Sequence, residues 1–255
     1  MKVILICRSF EKNSGQGIYK MAGYLYENLK RCNIVRIEKI ESKRKNPYFF
    51  DLIICPMKVS SNNAHIYHFL MPEVCLPLIL SKQIRERSVV TIHDTIVYRI
   101  KERKWISEKY IKLFYNIAKN AQIIHTPSLQ SKNDIVKFLK IPEEKVKVIP
   151  WGIDLEFFKP IKKKHKRNIL IAGYIGGLGK RKNTEWIIRV AKNFENTILF
   201  KIAGKGPQLK KLKSLAKRLN VKNVEFVGFI KEKNLPQFYN SLDIFIFPSL
   251  YEGFG

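Results

Sequence analysis

The sequence predicts an α/β protein built from two doubly wound, Rossmann-like halves. Three observations predict it. Short runs of Val, Ile and Leu alternate with segments whose apolar residues recur at helical spacing. These runs are apolar throughout, as strands covered on both faces must be, so the sheets should be parallel. The pattern breaks once, between residues 150 and 167, and then restarts.

In the first half, 3–7, 34–37, 52–55, 89–93, 122–126 and 146–149 read as strands. Segments 18–30, 107–119 and 128–139 read as the helices between them. Pro150-Trp151-Gly152 and Pro160 then bracket a short segment, and 161–167 is almost entirely basic. That is a linker signature. The expected organisation is a first domain over 1–150, a linker over 151–167 and a second domain over 168–255. In the second, 168–172, 198–203, 224–227 and 243–247 read as strands, and 183–192, 208–219 and 232–241 as helices. Leu209, Leu212, Leu215, Ala216 and Leu219 fall on one face of the middle helix. The second half ends without a closing helix, so an incomplete domain is expected. In such sheets ligands bind beyond the carboxyl ends of the strands, and a cleft between the halves is the expected site.

The chain has 255 residues, 45% of them hydrophobic, enough for a sizeable core and against intrinsic disorder. Its formal charge is +27, from 48 Lys+Arg against 21 Asp+Glu. Two readings stand for that charge. It is a field that attracts phosphates, nucleic acid or an acidic membrane surface, or it is a solvated background of A·T-rich codon usage. Cys7, Cys32, Cys55 and Cys75 form no C-x-x-C pair. They read as buried thiols of a reducing compartment. The apolar run at 3–7 is too short for a secretory signal, and no run approaches a bilayer span. The expected place is the cytoplasm, free or on the inner membrane surface.

Five segments carry candidate chemistry. Ser14-Gly15-Gln16-Gly17-Ile18 opens the first helix, where glycines let backbone N–H groups approach an anion. A dinucleotide fingerprint would want a third glycine at Lys20, although Glu38 lies where a ribose-binding acid would. The alternative is a plain loop. His93-Asp94 closes a strand and places an imidazole at its carboxyl end, able to meet a substrate hydroxyl; the alternative is a His satisfied by its neighbours. Residues 173–183, Gly-Tyr-Ile-Gly-Gly-Leu-Gly-Lys-Arg-Lys-Asn, join a strand to a helix. Glycine amides, a helix dipole and Lys180, Arg181 and Lys182 suit a di-anion there, though the G-K-[ST] ending of a Walker A loop is absent. Ala203-Gly204-Lys205-Gly206-Pro207 offers a second close backbone approach, or a simple turn. Finally Phe247-Pro248-Ser249-Leu250-Tyr251-Glu252-Gly253-Phe254-Gly255 carries a carboxylate that can accept sugar hydroxyls and glycine amides that can hold phosphate.

Together these segments resemble the retaining glycosyltransferases of the GT-B fold, the large group classed as family four. Residues 146–160 resemble its interdomain linker, 176–183 its donor-phosphate loop, 203–207 and 224–229 later donor-lobe segments, and 247–255 the start of its E-x7-E signature. The resemblance covers essentially the whole chain. It implies transfer of a hexose, with retention, from a UDP- or GDP-linked sugar to a glycan or lipid-linked acceptor, with no cofactor and no metal. It also implies roles. Arg181 and Lys182 would bind the diphosphate and offset charge as it departs. Glu252 would contact the sugar, with the amides of Gly253, Phe254 and Gly255 close to sugar and phosphate. Phe229 and Ile230 would lie by the nucleobase. His93 would reach the transferred sugar, and Gly15 and Gly17 would lie near acceptor and phosphate.

The chain departs from the family pattern twice. Gly177 follows Gly176 where many relatives carry Arg. The second glutamate of the signature would fall beyond Gly255, which suggests a truncated product, a fragment, or one half of a split enzyme that a partner chain completes. Little transferase activity is expected of such a chain alone. Segment 98–120 interleaves Lys and Arg with Trp105, Tyr110, Phe114 and Tyr115, and reads either as a membrane-surface helix or as a helix with its aromatics in the core. Two rival classes remain: a basic nucleic-acid-binding protein, for which no common module is visible, and a nicotinamide oxidoreductase resting on Gly15, Gly17 and Glu38.

Overall fold

The structure, a computed structural model, describes residues 1–11, 17–42, 46–100, 105–161 and 168–255, with only the backbone at 105 and 106. It divides into two units. One comprises Met1–Trp151 with Gly253–Gly255, the other Gly152–Glu252.

The first unit is built on six strands, β1 (Lys2–Ile6), β2 (Arg36–Ile40), β3 (Ile66–Phe69), β4 (Ser88–Thr91), β5 (Ile123–Thr126) and β6 (Val146–Val148). Their order is β2-β1-β3-β4-β5-β6, and every neighbouring pair is parallel. Parallel neighbours need crossovers, and the intervening helical segments supply them. The continuous apolar run of β1 is buried from Val3 to Ile6, the expected result for a central strand covered on both faces. The core gathers Ile4, Leu5, Ile6, Phe69, Leu70, Leu78, Ile92, Phe114 and Ile124.

Two expectations for this unit fail. Segment 52–55 is not a strand. Phe50–Ile54 forms a widened π turn that runs into the helix Cys55–Ser60. Asn46 accepts the amides of Tyr48 and Phe49 at 3.0 and 3.3 Å, and Pro47 starts the turn. Pro56 has no N–H for the turn before it, which favours the wider spacing. Burial then follows a helical rhythm, with Asp51, Cys55 and Val59 inside and Leu52, Ile53 and Met57 outside. The sheet position comes instead from β3, Ile66-Tyr67-His68-Phe69, a run too short and too polar at His68 to stand out. In addition, 34–37 slides to Arg36–Ile40, leaving Ile34 82% exposed.

The helices Gly17–Cys32 and Trp105–Ala118 lie where expected. Ser128 caps the next one, accepting the Ser131 amide at 3.0 Å; it widens at Ile135–Leu139 and stops at Lys140 in the left-handed region, φ 55°. Phe114 and Tyr115 are buried, and Tyr110 donates to Asp51. Tyr98, Tyr110, Phe114 and Tyr115 therefore pack in or against the core, while the Trp105 side chain lies outside the described residues. Cys7, Cys55 and Cys75 are buried free thiols, whereas Cys32 is exposed. Burial pushes the Cys7 thiol up to about 12 and raises Cys55 and Cys75 as well.

The second unit holds β7 (Leu170–Ile175), β8 (Ile198–Ala203), β9 (Val224–Gly228) and β10 (Ile244–Phe245), in the order β10-β7-β8-β9 and all parallel. In the helix Leu209–Arg218, Leu212, Leu215 and Ala216 are buried, with Leu209 and Leu219 packed partly against them. Each buried Leu contributes about 1.5–3 kcal/mol. Asp243 sets the register of β10: its amide donates to Ile171 O and its carboxylate accepts the Ile171 amide, both at 2.8 Å. Each unit is thus a Rossmann-like α/β layer. No helix among the described residues is long and apolar enough to cross a membrane.

Candidate functional site

The second sheet walks outward from β7 to β8 to β9, then returns to the other side of β7 for β10. Ligand sites in such sheets form where the order reverses, outside the carboxyl ends of the strands. Here the reversal lies between β7 and β10, paired Ala172 to Ile244 and Gly173 to Phe245. The loops leaving these two strands therefore emerge side by side. They are the glycine-rich basic loop and the loop that carries Glu252.

They are tied together closely. The Leu250 amide donates to Arg181 O at 2.9 Å, Arg181 Nη1 to Tyr251 O at 2.7 Å and Asn183 Nδ2 to Pro248 O at 3.2 Å. Glu252 takes Arg181 Nη1 on one carboxylate oxygen and Lys182 Nζ on the other, each at 2.5 Å. Lys182 Nζ also stands 5.0 Å over the Phe247 ring. The three charged side chains retain 16–18% exposure, so solvent and solutes reach them. Burial opposes ionisation of Glu252, but the hydrogen bonds from Lys182 and Arg181 outweigh it and hold its pKa below the usual carboxylate value. Burial, then the nearby Glu252 charge, pushes the Tyr174 phenol up to about 12. Two cations on one carboxylate leave an excess positive charge, which suits a di-anion.

Lys180–Lys182 form a single 3₁₀ turn, and Asn183 adopts φ 50° before the helix Thr184–Ala191 begins. The turn is braced by the loop after β8. Gly176 N donates to Ala203 O at 3.1 Å, and Leu178 N to Lys205 O at 3.0 Å. Gly204 has φ +134°, and a Cβ there would collide with Gly176 O. A Cβ at Gly206 would sit 2.6 Å from Leu178 N and O. The structure gives these two glycines a packing task, bringing two backbones together beneath the basic turn. On the far side, the half-exposed Phe229 ring carries Lys205 Nζ at 4.9 Å, while Ile230 packs against the small cluster of Ile171, Ala203, Phe238 and Leu242.

In the first unit, His93 follows β4. Its Nε2–H donates to Leu70 O at 2.9 Å, since a carbonyl only accepts. Burial depresses its pKa, so the ring is neutral and Nδ1 is an acceptor. Asp94 does not orient it; Asp94 Oδ1 accepts the Ile96 amide at 3.0 Å. A chain of groups that the sequence did not reveal lies alongside. His68 Nε2 meets Thr91 Oγ1 at 2.8 Å, Thr91 Oγ1 meets His125 Nδ1 at 3.0 Å, and His125 Nε2–H donates to Ile149 O at 2.9 Å. The Ile149 carbonyl fixes the tautomers: Thr91 donates to His125 and accepts from His68. The Trp151 ring lies 4.8 Å from His125 and 5.8 Å from His93.

Gly253 packs with the first unit, where Gly253 O accepts from Ser131 Oγ at 2.8 Å and from Ser128 Oγ. Phe254 and Gly255 are exposed. Gly17 is the exposed first residue of its helix, and Gly15 lies outside the described residues. Glu38, the acid of the nicotinamide reading, is paired with Lys2 and Arg36, each at 2.9 Å. A second unforeseen group is fully buried Asp51, which takes Arg8 Nε at 3.0 Å, Arg8 Nη2, and Tyr110 Oη at 2.7 Å.

Residues 2–157 match the family described as Glycosyltransferase Family 4, and 154–255 match Glycosyl transferases group 1. The "Uncharacterized glycosyltransferase MJ1607" of Methanocaldococcus jannaschii is 31% identical over 150 residues, 53% of this chain and 38% of its own length. An Escherichia coli "UDP-Gal:alpha-D-GlcNAc-diphosphoundecaprenol alpha-1,3-galactosyltransferase" is 31% identical over 140 residues, 49% of this chain and 36% of its own. These matches thus span well under half of either relative. Among solved structures, sucrose-phosphate synthase from Thermosynechococcus elongatus superposes with a TM-score of 0.79 at 17% identity, covering 100% of this chain and 77% of that one.

Proposed function

The chain belongs to the group 1, family-4 glycosyltransferases, and from that premise we propose that it binds a UDP- or GDP-linked sugar and transfers the hexose, with retention, to a glycan or lipid-linked acceptor. The observation that carries the reading is the pair of cations, Arg181 and Lys182, converging on Glu252 where the second sheet reverses. In the proposed complex the diphosphate takes the two cations and Glu252 turns to the sugar hydroxyls. Fixed positive charge then offsets the negative charge that develops on the departing diphosphate, and stabilisation of that kind usually lowers the barrier more than any other single effect. Phe229 offers its exposed ring to the base, with Ile230 behind it. The amides of Gly253, Phe254 and Gly255 serve sugar and phosphate.

The first unit, 1–150, is assigned to the acceptor side, with Gly15 and Gly17 at its loop, and 168–255 to the donor. Neutral His93 accepts a hydroxyl proton of the transferred sugar through Nδ1 while Leu70 O holds Nε2–H. The lipid-carrier chemistry in the name of the E. coli relative supports a lipid-linked acceptor and a place on the inner face of the membrane. Calorimetric titration with UDP and GDP tests the donor reading. Binding of one of them, abolished or much weakened in Lys182→Ala, is the expected result; no binding of either nucleotide refutes it.

A further inference from the structure

The chain His68–Thr91–His125 lies one step behind His93 in the first unit. His68 pairs with Val89 across β3 and β4, and Thr91 pairs with His125 across β4 and β5. Residues two apart on a strand share a face, so the three polar side chains line up on one side of the sheet. Leu70 follows His68 by two residues and His93 follows Thr91 by two. These two meet through the 2.9 Å bond from His93 Nε2–H to Leu70 O. The need to satisfy buried polar groups explains why buried Thr91 and His125 are paired. It does not explain the Trp151 indole laid against both His125 and His93.

The hydrogen bond at Nε2 fixes the direction of the His93 imidazole but lets its plane rock, which re-aims the Nδ1 lone pair. A second contact is needed to hold the plane. Asp94 does not give it, because its Oδ1 accepts the Ile96 amide. Trp151 does, with the two rings 5.8 Å apart and their planes inclined by 32°. Trp151 is seated in turn by His125, edge to face at 4.8 Å and 83°. The same imidazole donates from Nε2 to Ile149 O, two residues before Trp151. It therefore grips both the indole and the backbone that delivers it. Thr91 completes the circuit. Its hydroxyl accepts from His68 Nε2–H at 2.8 Å and donates to His125 Nδ1 at 3.0 Å, which keeps the His125 proton on Nε2, where Ile149 O needs it. Contacts run from Thr91 to His125 to Trp151 to His93, and the chain itself closes the ring from His93 back to Thr91.

We propose that Thr91, His125 and Trp151 are positioning residues that hold the His93 imidazole plane so that Nδ1 is aimed at a hydroxyl of the transferred sugar. The inference rests on the donor reading above, and none of the three is among the residues assigned to the nucleotide.

The test reads geometry and affinity separately on the full chain. Isotope labelling of histidine gives imidazole resonances, and those of His93 are identified by their loss in His93→Asn. Trp151→Leu and Thr91→Val should both shift or broaden the His93 signals, although Thr91 bonds to His68 and His125 and not to His93. Trp151→Phe and Thr91→Ser should return them towards wild type. Trp151 is half-buried, so Trp151→Leu keeps the test open if Thr91→Val, which strips a partner from two imidazoles, does not fold. Calorimetry then compares UDP with UDP-glucose and UDP-galactose, and GDP with GDP-mannose. The affinity gained from the sugar should fall about three- to tenfold in His93→Ala, Thr91→Val and Trp151→Leu, with free-nucleotide affinity unchanged and Thr91→Ser close to wild type. His93 signals unmoved in both Trp151→Leu and Thr91→Val would overturn the proposal. So would a sugar gain lost in His93→Ala but kept in the other two. Moved signals with the sugar gain intact even in His93→Ala would support the circuit and refute the sugar contact assigned to His93. Failure to bind either nucleotide refutes the donor reading and leaves the imidazole signals to decide the positioning.

Discussion

Replacing Glu252 with Gln removes one negative charge and nearly preserves the side chain's shape. That charge sits on Arg181 and Lys182 at 2.5 Å each, so a diphosphate must compete with it. A charge-assisted hydrogen bond is worth about 1.5–3 kcal/mol, and partial exposure of all three groups reduces the competition to about 1–2 kcal/mol. Glu252→Gln should therefore bind free UDP or GDP about five- to thirtyfold more tightly than wild type. The nucleotide sugar should gain less, because Gln accepts sugar hydroxyls more weakly than a carboxylate. Parallel calorimetric titrations with the nucleotide and its sugar conjugate read both effects. Unchanged or weaker binding of the free nucleotide by Glu252→Gln would refute the view that carboxylate and phosphate compete for the same cations.

Four further outcomes are expected. Lys182→Ala should weaken nucleotide-diphosphate binding about tenfold through loss of one charge-assisted contact, read by the same calorimetry. Gly204→Ala places a methyl group against Gly176 O at φ +134° and should cost about 2–4 kcal/mol, seen as a lower midpoint in thermal unfolding. The Glu252 pKa is depressed in the fold, so its ion pairs contribute stability above its ordinary value of 4.5 and lose it as pH falls through the lower folded value. Denaturant midpoints measured across that range should fall less steeply in Glu252→Gln. His68, pushed down to about 3 by burial, is a base held neutral. The unfolded chain then binds more protons between its ordinary 6.5 and about 3, and stability should be lost as pH is lowered through that window, by up to about 1.4 kcal/mol per pH unit. His68→Gln should remove that slope without removing the rest of the acid sensitivity.

Much of the fold was legible because continuous apolar strands and amphipathic helices follow from local periodicity. Val3 to Ile6 and Leu212, Leu215 and Ala216 needed no tertiary information. Segment 52–55 misled because four apolar residues fit a strand or a helix equally, and capping by Asn46 with the ring of Pro56 decided between them. β3 hid because it is four residues long with His68 inside it. At the site, the basic loop and the Glu252 turn were each visible. Their mutual grip was not, because the order β10-β7-β8-β9 creates it. Gly204 and Gly206 invite a ligand-binding reading in sequence, yet their neighbours are Gly176 and Leu178. The His68–Thr91–His125 chain draws on three strands and leaves no local trace.

The return crossover that brings β10 beside β7 also sets when the site can exist. Lys182 and Glu252 are 70 residues apart in sequence, and the two-residue strand Ile244–Phe245, with the loop-to-loop hydrogen bonds that follow it, delivers the carboxylate to its cations. The basic turn needs only the neighbouring loop after β8, whereas the complete constellation also needs closure of a longer loop on a two-residue strand. A bound nucleotide spanning both loops would then act as a fastener. It would slow amide hydrogen exchange at Leu250 and Ile246 more than in β7 and β8, coupling occupancy to closure of that loop.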